Sequence, residues 1–423
     1  MEYREMQKDA LEARLAELRA EYEAFRDMHL SLNMARGKPG KAQLDLSNGL
    51  FTALQADDAM QGEDKMDVRN YGVMTGIGEL KQIFADLLGV KKENVILGGG
   101  SSLNLMFDYI SQCMTHGVCG SAPWFGQKIK FLCPVPGYDR HFGILEYFGI
   151  EMLPVEVGAD GPDMDAIEAY VRDASVKGMF CVPKYSNPCG ITFSDETVDR
   201  IARLQPAAED FRIIWDNAYA IHDVTETPDT LREIFSACEQ YGTQDHIIEV
   251  ASFAKVTFPG ACVSCIIASD KNLAQIEKRL SYQTINYDKV NQMRHVAFFK
   301  DADGVRAHMK KHAEILKPKF AAVLDNFSQK LGGKGIASWT HPNGGYFISL
   351  DVMDDCAKRV VSLCKDAGLV LTGAGATFPL KNDPRDRNIR IAPTFPSTEE
   401  LLQAMDVLCV CVEIASLEKL LSM

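Results

Sequence analysis

Three segments of this sequence place a reactive or charged side chain where an apolar run ends. In Val250-Ala-Ser252-Phe-Ala-Lys255-Val-Thr-Phe-Pro-Gly260 a lysine follows the run 247–251. Lysine seldom follows an apolar strand toward the interior. One held there loses part of the hydration that favours its charge, and its neutral amine is a nucleophile toward a carbonyl carbon. In Ile213-Ile-Trp-Asp216-Asn-Ala-Tyr219 an aspartate closes a second run. A carboxylate there can keep a ring nitrogen protonated and so turn the ring into an electron sink, while Tyr219 can hydrogen-bond a ring hydroxyl. In Arg387-Asn-Ile-Arg390-Ile-Ala-Pro393 an arginine sits inside a short apolar strand. It needs an anionic partner, and a planar carboxylate fits its fork best. Taken singly, each residue also has an ordinary reading: a surface lysine in a loop, an aspartate capping a turn, an arginine in a structural salt bridge.

Two turns add binding chemistry. Gly98-Gly-Gly100-Ser101-Ser102 follows the run 95–97 and opens a helical pattern over 103–110. Glycines let the backbone approach a ligand, and a helix N-terminus with two hydroxyls suits a phosphate. The segment is neither a Walker A loop nor a GxGxxG fingerprint, so nucleotide binding does not follow. Pro183-Lys-Tyr-Ser-Asn187-Pro-Cys-Gly190 is a turn that can present the Asn187 side chain. Cys262 and Cys265 form a Cys-x-x-Cys pair, but they fall on an apolar strand pattern and no second pair completes a four-sulfur zinc site. His308 and His312 stand at i, i+4 beside Lys310 and Lys311 without a third ligand, and read as a solvated helix face. No metal site is expected.

These residues need elements to position them. Short apolar runs at 95–97, 130–133, 152–157, 179–182, 212–216, 247–251 and 263–268 alternate with helical patterns such as 195–204. Such alternation argues for an α/β fold with a mostly parallel seven-stranded sheet covered by helices. Leu11, Leu15, Leu18, Tyr22 and Phe25 recur at helical spacing, so 3–27 is expected to be an amphipathic helix, followed by a loop over 34–47. Beyond residue 300 the texture becomes that of a compact α+β unit: a long helix over 303–330 that Pro318 should kink, strands at 345–350 and 389–392, and helices at 356–367 and from 398. The expected division is a large domain over 49–303 and a smaller one built from 1–48 and 304–423.

With 423 residues, two domains are the natural prior, and 46% hydrophobic with 24% charged residues reads as globular. Asp and Glu number 58 against 45 Lys and Arg, a formal charge of −13, which disfavours nucleic acid as a partner. No signal peptide or membrane span is visible. The twelve cysteines are scattered and are expected to be reduced, mostly buried thiols of a cytoplasmic protein.

The order of the motifs resembles the fold-type I PLP enzymes, specifically the class I aminotransferase family, over nearly the whole chain from Asn33 to the last helix. In that family the Gly-Ser turn is followed by a stacking aromatic, the Asn-Pro-x-Gly turn, the Asp-x-x-Tyr strand end, the Ser-x-x-Lys site and a carboxylate-binding arginine. The resemblance implies pyridoxal 5′-phosphate (PLP) as cofactor, carried as a Schiff base on Lys255. Gly100, Ser101, Ser102 and Ser252 would surround its phosphate. Tyr138, in Pro136-Gly-Tyr138, would stack on its ring, and Asn187, Asp216 and Tyr219 would hold the ring's polar atoms. Arg390, Asn187 and Gly37, the last in Met34-Ala-Arg-Gly37-Lys-Pro39, would bind substrate. Tyr71, in Arg69-Asn-Tyr71-Gly, would reach the phosphate of a neighbouring subunit, so a homodimer with shared sites is implied. Arg-Gly-Lys-Pro, Asn-Tyr-Gly and Ser-x-x-Lys-x-Thr-Phe look most similar to a bacterial aspartate aminotransferase-like branch, related to the aminotransferase domain of certain chimeric transcription regulators. The expected activity is ping-pong transamination between aspartate and 2-oxoglutarate. The alternatives are an aromatic or kynurenine-type aminotransferase, a PLP lyase, or a PLP-sensing regulator module, the last disfavoured by the acidic chain and the roughly 30 residues ahead of the Arg-Gly-Lys-Pro loop. A dicarboxylate needs a second cation, with Arg36, Lys38, Lys289 and Arg294 as candidates, whereas Tyr282, Tyr287 and Phe378 would suit an aromatic substrate. One departure stands out: the family's phosphate-binding arginine, seven or eight residues after the lysine, is replaced by Cys262 or Val263.

Overall fold

The computed structural model describes residues 2–423. Its strands, in chain order, are β1 (Leu32–Asn33), β2 (Val95–Leu97), β3 (Lys130–Val135), β4 (Glu151–Glu156), β5 (Val176–Cys181), β6 (Arg212–Asp216), β7 (Ile247–Ser252), β8 (Ser264–Ala268), β9 (Ala337–Trp339), β10 (Ile348–Val352), β11 (Leu369–Val370) and β12 (Asn388–Ile391). Seven of them form one sheet in the order β2-β8-β7-β6-β5-β3-β4. The neighbours pair in parallel except at β8, which runs antiparallel to both β2 and β7.

The sheet is fully covered because its inner strands are apolar on both faces, as parallel strands must be. Ile214, Ile248 and Val250 join one core with Leu105 and Ile110 of the helix Ser102–His116 and Leu145 of the helix Asp139–Tyr147. Their sequence neighbours Ile213, Trp215 and Ile247 join the opposite core with Val198 and Ile201 of the helix Asp195–Ala202. This is the period-two alternation of a strand expressed as two helical layers. Since β2, β3, β5, β6 and β7 all point one way, the turns that follow them emerge at one edge, where open α/β sheets place their ligands.

The C-terminal part packs an antiparallel sheet, β12-β10-β9, with the helices Ala302–Lys330, Ala357–Asp366 and Thr398–Ser422. The helix Lys8–Asp27 adds Leu11, Leu15, Leu18 and Tyr22 to that same core, and β1 pairs in parallel with β11. At the N-terminus the buried Tyr3 hydroxyl donates to Glu413, whose carboxylate also pairs with Lys334 at 2.7 Å. Burial, with Glu413 as the next cause, pushes Tyr3 up to about 12.

Several elements differ from expectation. The helix expected from residue 3 begins at Lys8, after a separate 3-10 turn at Tyr3–Glu5. The expected loop over 34–47 contains the short helix Lys41–Asp45. The strand expected at 345–350 starts only at Ile348, because Gly344 and Gly345 cross the Tyr185 ring and backbone. A Cβ on Gly345, whose φ is +80°, would lie 2.8 Å from Tyr185 Cβ. The long helix expected over 303–330 spans Ala302–Lys330, with Pro318 inside it. All twelve cysteines are free thiols, eleven of them buried.

Candidate active site

Lys255 lies in the turn after β7. Phe253 N–H donates to Val263 O (2.9 Å), and the Val256 and Thr257 N–H groups donate back to Phe253 O (3.0 and 2.9 Å), so the lysine backbone is pinned on both sides. A buried polar cluster lies behind it. The Tyr346 hydroxyl donates to Lys255 O (3.4 Å) and accepts from Gln43 Nε2 (2.9 Å), which is also 3.1 Å from His312 Nδ1. His312 Nε2 is 3.1 Å from His308 Nε2, itself 2.9 Å from Val256 O. The expectation of a solvated face for these histidines is therefore wrong: both are buried, packed where the long helix crosses the lysine turn. Burial pushes both rings down, His312 to about 4, so they are neutral near pH 7. No group of side chains that could hold a metal ion occurs among the described residues.

In front of the turn, Lys255 Nζ lies 4.9 Å from the centroid of the Tyr219 ring and 5.8 Å from that of Tyr346. Asp216 closes β6 as a buried side chain. Its Oδ2 is 3.0 Å from His141 Nε2, whose ring stacks on Phe180 at 4.6 Å and meets Tyr138 edge-on at 5.0 Å. Asp216 Oδ1 is buried and has no hydrogen-bond partner among the described residues. A buried carboxylate oxygen left unpaired is costly, and it calls for a donor that arrives with a ligand. Desolvation raises the Tyr219 hydroxyl well above the usual phenol range and Tyr138 to about 12, so both stay protonated donors.

The glycine turn sits at the same edge. Ser252 of β7 is in register with Ser264 of β8, and Ser264 exchanges backbone bonds with Gly98 (2.7 Å) and Gly99 (2.8 Å). Ser101 is the N-cap of the helix Ser102–His116, and its hydroxyl makes no capping bond. Cys262, one of the two residues standing in for the missing arginine, is buried and donates its S–H to Gly100 O (2.7 Å). Desolvation pushes this thiol up to about 11, so it carries no charge into the turn.

Arg390 arrives from β12 across the sheet edge. Its guanidinium lies 4.9 Å over the Phe347 ring, and Nη1 donates to Asn187 Oδ1 (3.2 Å) and to Asp139 Oδ1 (2.8 Å). Gly37 explains itself here: a Cβ would lie 2.5 Å from Phe347 Cζ, so only glycine lets the N-terminal loop close over that ring. Lys255, Asp216, Tyr219, Tyr138, Asn187 and Arg390 thus converge, with the Gly98–Ser102 turn and Ser252 alongside. Tyr71 has a side chain 71% exposed. Its loop is held by the buried Lys289, whose Nζ donates to Asn70 O and Gly72 O, both at 2.6 Å. Lys289 is therefore committed to the backbone, which removes it from the four cations considered for a second carboxylate. Arg36 and Lys38 are exposed, and Lys38 Nζ lies over the Phe395 ring at 3.8 Å. Of the aromatic candidates, Tyr282 is exposed while Tyr287 and Phe378 are half-buried.

Reasoning from sequence missed His141, Asp139, Gln43 and Tyr346. His141 left a signal, since it follows Tyr138 at helical spacing and a buried Asp216 needs a partner. Gln43 and Tyr346 meet across 303 residues, and nothing local announces them. A groove lined by Lys91, Asn94, Glu233, Asp245 and Lys271 opens where β2 and β7 begin, at the edge opposite this chemistry.

The model of the family described as aspartate amino-transferase matches residues 6–423. An aspartate aminotransferase of Corynebacterium glutamicum is 44% identical over 404 residues, 95% of this chain and 93% of that one. The crystal structure of an aspartate transaminase from the same organism superposes with a TM-score of 0.97 at 42% identity, covering 99% of each chain. An alpha-aminoadipate aminotransferase of Thermus thermophilus, solved with N-(5′-phosphopyridoxyl)-L-leucine, shares the fold at a TM-score of 0.74, 18% identity and 93% coverage of each chain.

Proposed function

The chain belongs to the aspartate amino-transferase family and is an aminotransferase, and from that premise we propose that it uses pyridoxal 5′-phosphate held on Lys255 and transfers the amino group between aspartate and 2-oxoglutarate. The observation that carries the cofactor assignment is Asp216 Oδ1, a buried oxygen without a partner among the described residues, on the wall it shares with Lys255 and Tyr219. A protonated ring nitrogen supplies the donor that oxygen lacks. The Tyr219 hydroxyl, held protonated by burial, is the donor for a ring oxygen, and the Tyr138 ring covers one face. The helix N-terminus at Ser101–Ser102 and the Ser252 hydroxyl suit the phosphate. With Cys262 neutral, helix dipole and hydroxyls carry that task without the usual arginine.

When bound, this cofactor supplies an electron sink for the pair left at Cα. The chain's own residues do the rest. Arg390 and Asn187 seat the α-carboxylate and fix Cα in front of Lys255. Lys255 Nζ, in front of Cα, would take the Cα proton and hold it for return, which its flexible stem allows. Asp216 holds its charge in place because His141 fixes the other oxygen. Donor and acceptor use the same seat in turn. We also read residues 1–48 with 304–423 as the smaller domain, and the exposed Tyr71 as a residue that completes the site of a second copy.

Aspartate as donor rests on the names of the Corynebacterium glutamicum relatives. Measuring kcat/KM for aspartate, alanine, phenylalanine and kynurenine against 2-oxoglutarate tests it. A second cation in the site should favour aspartate by about two orders of magnitude or more over the monocarboxylates, whose side chains would leave that cation unpaired. Comparable values for phenylalanine or kynurenine would replace the dicarboxylate assignment with a broad aromatic one.

A further inference from the structure

Arg390 has its charge already answered within the chain. Nη1 has two hydrogens, and both are used, one toward Asn187 Oδ1 (3.2 Å) and one toward Asp139 Oδ1 (2.8 Å). Nη2 has a single long contact with Thr372 Oγ1 (3.4 Å). Nε is buried and lacks a partner among the described residues. A carboxylate that enters at the Nη end of the fork meets another carboxylate there. The two partners are unequally buried: the Arg390 side chain is 6% exposed and that of Asp139 is 36% exposed.

We propose that Asp139 is a resident carboxylate that occupies the substrate's α-carboxylate seat on Arg390 in the free enzyme and yields it when substrate binds. This rests on the reading of Arg390 as that seat. A buried guanidinium cannot be left unpaired without a large desolvation cost, so something anionic must stand there between turnovers. Two carboxylates cannot share one fork end comfortably, because like charges within a few ångströms repel, so the seat is exclusive. Asp139 is suited to leave. It is the first residue of the helix Asp139–Tyr147, where the helix N-terminus favours a negative charge whether or not Arg390 is near. Its partial exposure lets water replace the lost hydrogen bond. Asp139 also directly follows Tyr138, so its movement is coupled to the ring that covers the cofactor face. The exchange lowers the affinity for every carboxylate ligand by the strength of the Asp139 contact, and it keeps the site closed to molecules without a carboxylate.

The test is to titrate cofactor-loaded enzyme with succinate, a dicarboxylate that cannot react, by calorimetry, and to measure KM and kcat for aspartate in parallel. Asp139→Asn removes the charge and Asp139→Ala the contact. Both should tighten succinate about three- to tenfold, as for a half-exposed charge-assisted bond, and lower KM by more than they move kcat. Weaker succinate binding in both variants would show that Asp139 positions Arg390 instead, and unchanged binding would show that it plays no part, so either result overturns the proposal. Arg390→Ala separates the two readings. If it leaves succinate binding intact, the seat itself has been misassigned. If it abolishes binding while the Asp139 variants bind no tighter, the seat stands and only the resident carboxylate fails.

Discussion

Asp216 is a carboxylate with one oxygen fixed and one waiting. His141 takes Oδ2 at 3.0 Å, and burial removes water from Oδ1. Charge held in place before a reaction needs no reorganisation during it, which is why such a group counts for more here than the same charge in water. Asp216→Asn keeps the shape and the contact with His141 while removing the charge. The expected outcome is cofactor binding retained, read from its absorbance, with kcat reduced about 100- to 1,000-fold, the size typical of losing one preorganised electrostatic partner. Turnover near the parent's would refute the electron-sink role. Lys255, Asp216, Tyr219 and Asn187 announced themselves by standing at or just after the ends of apolar runs. Asp139 did not, because a charged residue at the start of a helix is ordinary, and only its 2.8 Å contact with Arg390, 251 residues away, gives it meaning.

At the scale of elements, the seven strands of the large sheet were legible to within a few residues, since buried parallel strands are written as short apolar runs. What failed was texture that depends on packing partners. β9, β11 and the short helix Lys41–Asp45 are too brief to carry a period. Gly345 reads as the first residue of a strand until Tyr185 occupies the space beside it. The histidines of the helix Ala302–Lys330 read as solvated because Lys310 and Lys311 flank them, yet the face they occupy is the one laid against the lysine turn. Helical spacing defines which residues share a face; it does not say whether that face meets water. The site follows from the same arithmetic. Strands pointing one way bring five turns to one edge, and β12 adds Arg390 from the other sheet.

At the scale of the whole molecule, an acidic chain of net charge −13 acts on anionic substrates. Long-range steering therefore does not favour it, and local cations such as Arg390 must do the recognition. Tyr71, on a loop anchored by Lys289, is exposed, as are Phe51 and Tyr282. If sites are shared in a dimer, mixing a Tyr71→Phe chain with a Lys255→Ala chain should give hybrids more active than either parent, because one of the two sites regains both residues. Hybrids no more active than the parents would mean that each site is complete within one chain. One lysine among the chain's 26, Lys255, is assigned as the cofactor's attachment point. Borohydride reduction of the cofactor-loaded protein followed by peptide mapping should leave one pyridoxyl group per chain, on Lys255, and a group on any other lysine would overturn the assignment.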